Sequence, residues 1–434
     1  MALAATIAAL TACTPQQPSA EKTLKEAFDG KFLMGCAINV EQSSGRDAVG
    51  DSIIARHFNS IVAENCMKCE AIHPEENRYF WDDADQFVKF GEEHGMNIIG
   101  HCLVWHEQCA PWFFVDEKGN EVTADVLRQR IKDHITTIVG RYKGRVKGWD
   151  VVNEAIEDDG SYRQSPFYRI MGEEFIPWAF ECAHEADPDA ELYLNDYSMA
   201  KPGKRETYVR IIDQLKHRHL RIDAIGLQVH SGLDYPDMRE LEASMQEFIS
   251  TGVKIQFTEL DMNALPNVFE AGNENANIEE DFAYNQRMNP YTEGLPDSVQ
   301  QLWNVRLQAM FDLALKYSDR MNRVTMWGVY DQQSWLNDWP MKGRTNYPLL
   351  FDRNYIVDEI AQGGQLPASS FVAMGLTDAV ADGDYVYAYA YQDAAGYSDQ
   401  YSLFDKTTED GLSQGDTLTL TLSGISYDAN WQAV

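Results

Sequence analysis

Glu154 lies in the run "WDVVNEA" and Glu259 in the run "QFTELDM", 105 residues later. Two facing carboxylic groups can divide the work of breaking a glycosidic bond: one protonates the leaving oxygen and the other attacks the anomeric carbon. Both have polar company at the ends of apolar runs. Glu64, Asn65 and Lys68 follow "SIVA", His101 and Trp105 follow "NIIG", Asn153 precedes Glu154, and Gln228 and His230 follow "AIGL". Asp261 follows Glu259, while Trp327 and Trp335 lie in "RVTMWGVYDQQSW". Tryptophan presents a flat apolar face to a sugar ring; Asn, Gln, His and Lys present hydrogen bonds to hydroxyls. Taken singly, each has a plainer reading. Glu154 suits a helix N-terminus, a tryptophan suits a core, a histidine is commonly a satisfied hydrogen-bonding group, Lys68 is a solvated charge and Asn65 a turn residue. Their shared placement is the argument for a site.

That placement needs a frame that gathers the run ends. From residue 24 to about 355, short apolar or β-branched runs alternate with amphipathic stretches, the pattern of repeated βα units. Eight strands are expected, over 33–39, 60–64, 97–101, 146–154, 191–195, 224–230, 254–259 and 323–327. Leu127, Ile131, Ile135 and Ile138 recur at helical spacing and predict a helix over 123–142. Another is expected over 175–186, with Pro177 in its first turn and Pro188 beyond its end. Eight parallel strands with helical crossovers close into an α/β fold of the (β/α)₈ barrel type, with its site at the C-terminal strand ends. Segment 263–297, containing "NENANIEED" and "NPYTEG", is too long for an ordinary connection and is expected over the cleft. From 367 to 434 the pattern changes. "GDYVYAYAYQD" puts Tyr385, Tyr387, Tyr389 and Tyr391 on one face and "DTLTLTLSG" alternates strictly, so a small C-terminal all-β appendage is expected. Cross-strand packing accounts for the tyrosine face as well as sugar stacking does.

Composition narrows the partners. The 434 residues carry a formal net charge of −32, which repels nucleic acid and anionic lipid but leaves neutral polymers as ligands. No Gly-rich phosphate loop follows a strand, and neither "GEEHG" nor the His101/His106 pair has metalloprotease spacing. Residues 1–23 read as a secretion signal followed by a polar linker. Leu10-Thr11-Ala12-Cys13 resembles the bacterial lipoprotein cleavage box, so export is expected, either lipid-anchored through Cys13 at the cell envelope or secreted. Cys66-x-x-Cys69 is followed by Cys102 and Cys109, whose six-residue gap does not suit zinc; buried thiols are expected, with no metal.

Seven blocks in order carry a resemblance: "ENCMKCEAIHPEENRYFW", "GHCLVWHEQCAPWF", "WDVVNEAIED", "LYLNDYS", "IGLQVH", "QFTELDM" and "WGVYDQQSW". Together they resemble the successive signatures of family-10 glycoside hydrolases, the endo-β-1,4-xylanases, from about residue 24 to 355. The resemblance implies a cofactor-free monomer with its catalytic barrel over 24–366, cleaving internal β-1,4 bonds of xylan and xylo-oligosaccharides through a glycosyl-enzyme with retention. It implies that Glu154 is the acid/base and Glu259 the nucleophile, with carboxyls about 5 to 5.5 Å apart. Asn153 would hold the sugar 2-hydroxyl, and His230, backed by Asp261, would orient Glu259. Glu64, Asn65, Lys68, His101, Trp105, Gln108, Trp327 and Trp335 would line the non-reducing-side sugar sites, Gln228 would sit near the nucleophile, and Asn195 and Tyr197 toward the leaving group. A less polar setting and the charge on Glu259 should raise Glu154. Three features depart from the pattern: Cys69 stands where a Trp usually follows Met-Lys, "RNYIVDEIAQGG" lacks the usual Pro-Lys-Pro before the closing helix, and the 263–297 segment is long. Two other readings fit less of the sequence: a retaining barrel glycosidase acting on β-glucan or cellulose, and a non-catalytic glycan-binding surface lipoprotein. The intact Glu154 and Glu259 weigh against the second.

Overall fold

In the computed structural model, which describes residues 23–268, 287–353 and the two strands Val386–Tyr391 and Gln400–Asp405, the apolar runs form a parallel sheet that closes on itself. Its strands are β1 (Leu33–Ile38), β2 (Ser60–Ala63), β3 (Asn97–Val104), β4 (Gly148–Asn153), β5 (Glu191–Asp196), β6 (Ala224–Leu227), β7 (His230–Gly232), β8 (Lys254–Asn263) and β9 (Met321–Met326). β1 to β6 pair in sequence, β6 pairs with β8, β8 with β9 and β9 with β1, which completes the ring. All eight expected staves are present, and the sixth is broken. Where the sequence predicts one strand over 224–230, β6 stops at Leu227 and β7 resumes against β8 with His230 opposite Asp261. Val229, at the break, has φ of 51°, a conformation that a β-branched residue rarely adopts.

The helix predicted over 123–142 is Ala124–Arg141, with the Thr123 hydroxyl accepting from the Val126 N–H at its start and Tyr142 as its C-cap. Leu127, Ile131, Ile135 and Ile138 are all fully buried, each contributing roughly 1.5–3 kcal/mol. The second predicted helix is Phe175–Ala186. Strand alternation then divides the interior in two. Met34, Cys36, Ile38, Ile61, Ile98, Leu192, Leu194, Ile225 and Phe257 join the large core between sheet and helices. Ala37, Val62, Ile99, Tyr193, Ala224 and Trp327 form a separate cluster inside the barrel.

The long excursion leaves from the end of β8, on the face that carries the strand ends. Its two stems are tied to the loop after β9: Arg344 donates to the carbonyls of Met288 and Pro266 at 2.9 and 2.7 Å, and Tyr347 donates to the carbonyl of Tyr291 at 2.7 Å. Val268, Met288 and Met341 pack together between them. Residues 269–286 lie outside the described residues, as do Cys13, the segment 354–366 and "DTLTLTLSG". The strands Val386–Tyr391 and Gln400–Asp405 pair antiparallel, as the period of two predicts for the first of them.

Candidate active site

Strict alternation would send neighbouring residues to opposite faces, yet Asn153 and Glu154 both serve the barrel mouth. Two local departures allow this. Between Asp150 and Val152, β4 advances two residues while β5 advances one, a bulge that turns both Val151 and Val152 to the outer core and brings Asn153 back inside. Glu154 then leaves the strand with φ of 56°, its N–H held by the Asn195 carbonyl at 2.9 Å and its carbonyl by Arg163 Nε at 2.9 Å. A left-handed glutamate costs on the order of 1–2 kcal/mol, which these flanking bonds offset.

The nucleophile side uses the same device. From Phe257 to Leu260, β8 spends three steps against two in β9, so Thr258 and Glu259, adjacent in sequence, both reach Asn195. A third bulge, in β3 after His101, precedes Trp105. Gly226 of β6 supplies room: a Cβ there would stand 2.3 Å from Asn195 Oδ1.

Glu154 is surrounded by neutral donors. Trp105 Nε1 donates to its Oε2 at 2.8 Å, while Gln228 Nε2 and Asn153 Nδ2 donate to Oε1 at 3.0 and 3.2 Å. Burial raises its pKa, the charge of Asp196 adds to this, and the bonds from Gln228 and Trp105 only partly oppose it. The charge on Glu259 adds to the rise as the sequence predicts, after the larger contribution of Asp196, which the sequence does not point to. Asp196 is itself fully buried beneath the site, paired with the equally buried Lys204 at 2.8 Å and accepting from the Tyr208 hydroxyl.

Glu259 is held differently. Asn195 Nδ2 donates to its Oε1 at 2.8 Å, and His230 Nε2 lies 3.3 Å from Oε2. His230 Nδ1 lies 2.9 Å from Asp261 Oδ2, which also accepts from Trp335 Nε1 at 2.9 Å. Burial would push His230 down, but Asp261 and Glu259 together pull it up to about 10, so an imidazolium bridges two carboxylates. Burial would likewise push Glu259 up; the bond from His230, the neighbouring His101 and the bond from Asn195 outweigh it and hold Glu259 below the usual carboxylate value. One carboxyl is thus biased to carry a proton and the other to be ionised.

The remaining polar residues form a platform beside this pair. Lys68 Nζ donates to Asn65 Oδ1 at 2.9 Å and to Gln108 Oε1 at 2.8 Å, and lies 4.9 Å from the centre of the Trp105 ring. Asn65 Nδ2 donates to Glu64 at 3.2 Å; burial raises Glu64, against the pull of Lys68. His101 sits deeper, its Nδ1 2.9 Å from Asp150 Oδ2 and its ring edge-on to Trp327 at 5.4 Å. Trp335 packs on His230 at 5.1 Å.

One placement differs from the sequence-based ones. Asn195 does not face a leaving group: it is fully buried and its Nδ2 bridges Asn153 Oδ1 at 2.9 Å and Glu259, while its Oδ1 accepts from Thr258 at 2.6 Å. Gln228 does lie beside the nucleophile, its backbone carbonyl accepting from the Glu259 N–H at 3.1 Å, while its side chain donates to Glu154. The Tyr197 hydroxyl accepts at 2.6 Å from Arg163, whose Nε holds the Glu154 carbonyl. Asp150, Thr258, Asp196, Lys204 and Arg163 were not singled out from sequence. Asp150, Thr258 and Asp196 lie inside the quoted blocks, but the bulges in β4 and β8 break the alternation that would mark the first two as inward; Arg163, on a loop, gives no periodic signal.

Known proteins share this arrangement of blocks. The sequence profile described as Glycosyl hydrolase family 10 matches residues 23–361. An endo-1,4-β-xylanase A of Xylanibacter ruminicola is 51% identical over 342 residues, covering 79% of this chain and 92% of that one. A GH10 endoxylanase retrieved from a sugarcane soil metagenome superposes with a TM-score of 0.72 at 42% identity, covering 78% of this chain and 96% of that one. The intracellular xylanase of Thermoanaerobacterium saccharolyticum, solved as a mutant with xylotriose, superposes at 0.66 and 32% identity, over 79% and 97%. With the profile spanning the whole barrel and half the residues shared with a xylanase along nearly its full length, the chain belongs to glycosyl hydrolase family 10, the endo-β-1,4-xylanases.

Proposed function

We propose that Glu154 and Glu259 carry out the retaining hydrolysis of internal β-1,4-xylosidic bonds of xylan and xylo-oligosaccharides, as acid/base and nucleophile respectively. The observation that carries the assignment is their opposite electrostatic setting: neutral donors and burial around Glu154, an imidazolium and an amide on Glu259. Protonated Glu154 gives its proton to the departing oxygen while Glu259 attacks the anomeric carbon, forming a glycosyl-enzyme. The negative charge of Glu259 is consumed, which eases ionisation of Glu154, and Glu154 then takes a proton from the water that attacks the same carbon. Two inversions give retention. Asn153 holds the 2-hydroxyl as positive charge develops on the ring, and the Lys68 platform and Trp327 seat the sugars on the non-reducing side.

Product analysis on defined xylo-oligosaccharides tests this, with release from xylan, arabinoxylan, mixed-linkage glucan and mannan compared in parallel. Internal cleavage with β-configured products is expected from xylans, and none from Glu259→Ala; activity in that variant, or preference for the glucan, overturns the assignment. We also propose that the chain acts as an exported monomer, anchored through a lipid on Cys13. Support comes from the Leu-Thr-Ala-Cys box alone; lack of incorporated radiolabelled palmitate in the expressing bacterium would refute the anchor.

A further inference from the structure

Cys69 opens the short helix Cys69–Ile72 that follows β2, and Cys109 lies on the loop after β3, in the two connections that carry the Lys68 platform. The loops are joined where the cysteines lie. The Glu70 N–H donates to the Gln108 carbonyl at 2.8 Å, and Lys68 Nζ donates to the Gln108 side chain at 2.8 Å. Cys69 therefore lies between the two residues bonded to Gln108, and Cys109 is the next residue along. The backbone bond thus sets the two cysteines alongside each other, and Cys69 and burial together raise the Cys109 thiol. Cys69 is 6% exposed and Cys109 half-buried, so an external reagent reaches Cys109 first.

We propose that Cys69 and Cys109 form a disulfide that staples the β2 loop to the β3 loop and fixes the contact of Lys68 with Gln108. The oxidant is a low-molecular-weight disulfide or a thiol–disulfide oxidoreductase. Cys109 loses its proton and attacks one sulfur of the external disulfide, releasing the first thiol; Cys69 then loses its proton and attacks the Cys109 sulfur, releasing the second. Two protein thiols are oxidised, one external disulfide is reduced, and the two protons end on the released thiols. The bridge closes a segment that holds β3 and Trp105, and so constrains the unfolded chain as well as the platform.

Whole protein, incubated natively with oxidised glutathione, alkylated without reduction and digested, should give one cross-linked peptide pair joining Cys69 to Cys109. Recovery of both as alkylated thiols, or a bridge from either to Cys66 or Cys102, overturns the proposal. In the oxidised protein, reductant should lower Tm by ~5 °C and raise KM for xylo-oligosaccharides ~3-fold with kcat nearly unchanged. Cys109→Ser should show no response to reductant, and an equal response in that variant overturns the assignment. The peptide map reads the bond whether or not xylan is the substrate, so the bridge and the hydrolytic assignment fail separately.

Discussion

Replacing Asn195 by alanine probes the site without touching either carboxyl. Its Nδ2 gives the ionised Glu259 a 2.8 Å hydrogen bond and ties Asn153 into the same network at 2.9 Å. A hydrogen bond to a charged group contributes about 1.5–3 kcal/mol. The sign follows from the donor's preference for the ionised form: its loss raises Glu259. Because the nucleophile works ionised, the acid limb of kcat/KM against pH should move up, and kcat/KM on the plateau should fall about 10- to 150-fold. Thr258 Oγ1 and Asn153 Oδ1 lose partners in a fully buried setting, so unfolding should also come about 2–3 kcal/mol easier. Initial rates on xylotetraose from pH 3.5 to 9, with circular dichroism to confirm folding, measure both. A folded Asn195→Ala enzyme within threefold of the parent and with an unmoved acid limb would refute the reasoning that this amide sets the ionisation of Glu259.

Trp105→Phe keeps an aromatic ring but removes the Nε1 donor that opposes the raised pKa of Glu154. The acid form of Glu154 should then persist to higher pH, moving the alkaline limb of kcat/KM up, and a limb that falls instead contradicts the assignment. Lys204→Met leaves Asp196 buried without its partner and should cost about 3–5 kcal/mol, seen as a Tm lower by roughly 6–10 °C; a change under 2 °C means the pair is not needed for folding. His57, His73 and His134 are held neutral by burial, at about 4, 4 and 3. Their folded values lie below the ordinary 6.5, so the stability they contribute is present above pH 6.5 and is lost as the pH falls toward 4. Calorimetry at low salt should show Tm dropping over that window, and a flat profile between pH 7 and 4.5 would count against it.

The eight staves and the two helices tested came close to their expected bounds because each carries its own periodic signal, strong enough to survive without knowledge of its neighbours. The break between β6 and β7 did not, since the alternation of Leu227, Gln228, Val229 and His230 reads as an unbroken strand and only the positive φ at Val229 reveals the turn. Glu154 and Glu259 were legible as chemistry because a carboxylate at the end of a buried strand is costly unless it does something. Their division of labour was not. It depends on Asp196, fully buried and far from the acid in sequence, and on an imidazolium held between Glu259 and Asp261, and those fields exist only once β4, β5, β7 and β8 stand side by side. Sequence by itself determined the staves, the order of the signature blocks and the residue types at the mouth, all local properties of side-chain chemistry and spacing. Tertiary structure decided which of those side chains face one another, through bulges in β3, β4 and β8 that overturn the period of two. A one-residue slip reverses every face beyond it, and hydrogen bonding between strands, which no single strand encodes, is what places the slip.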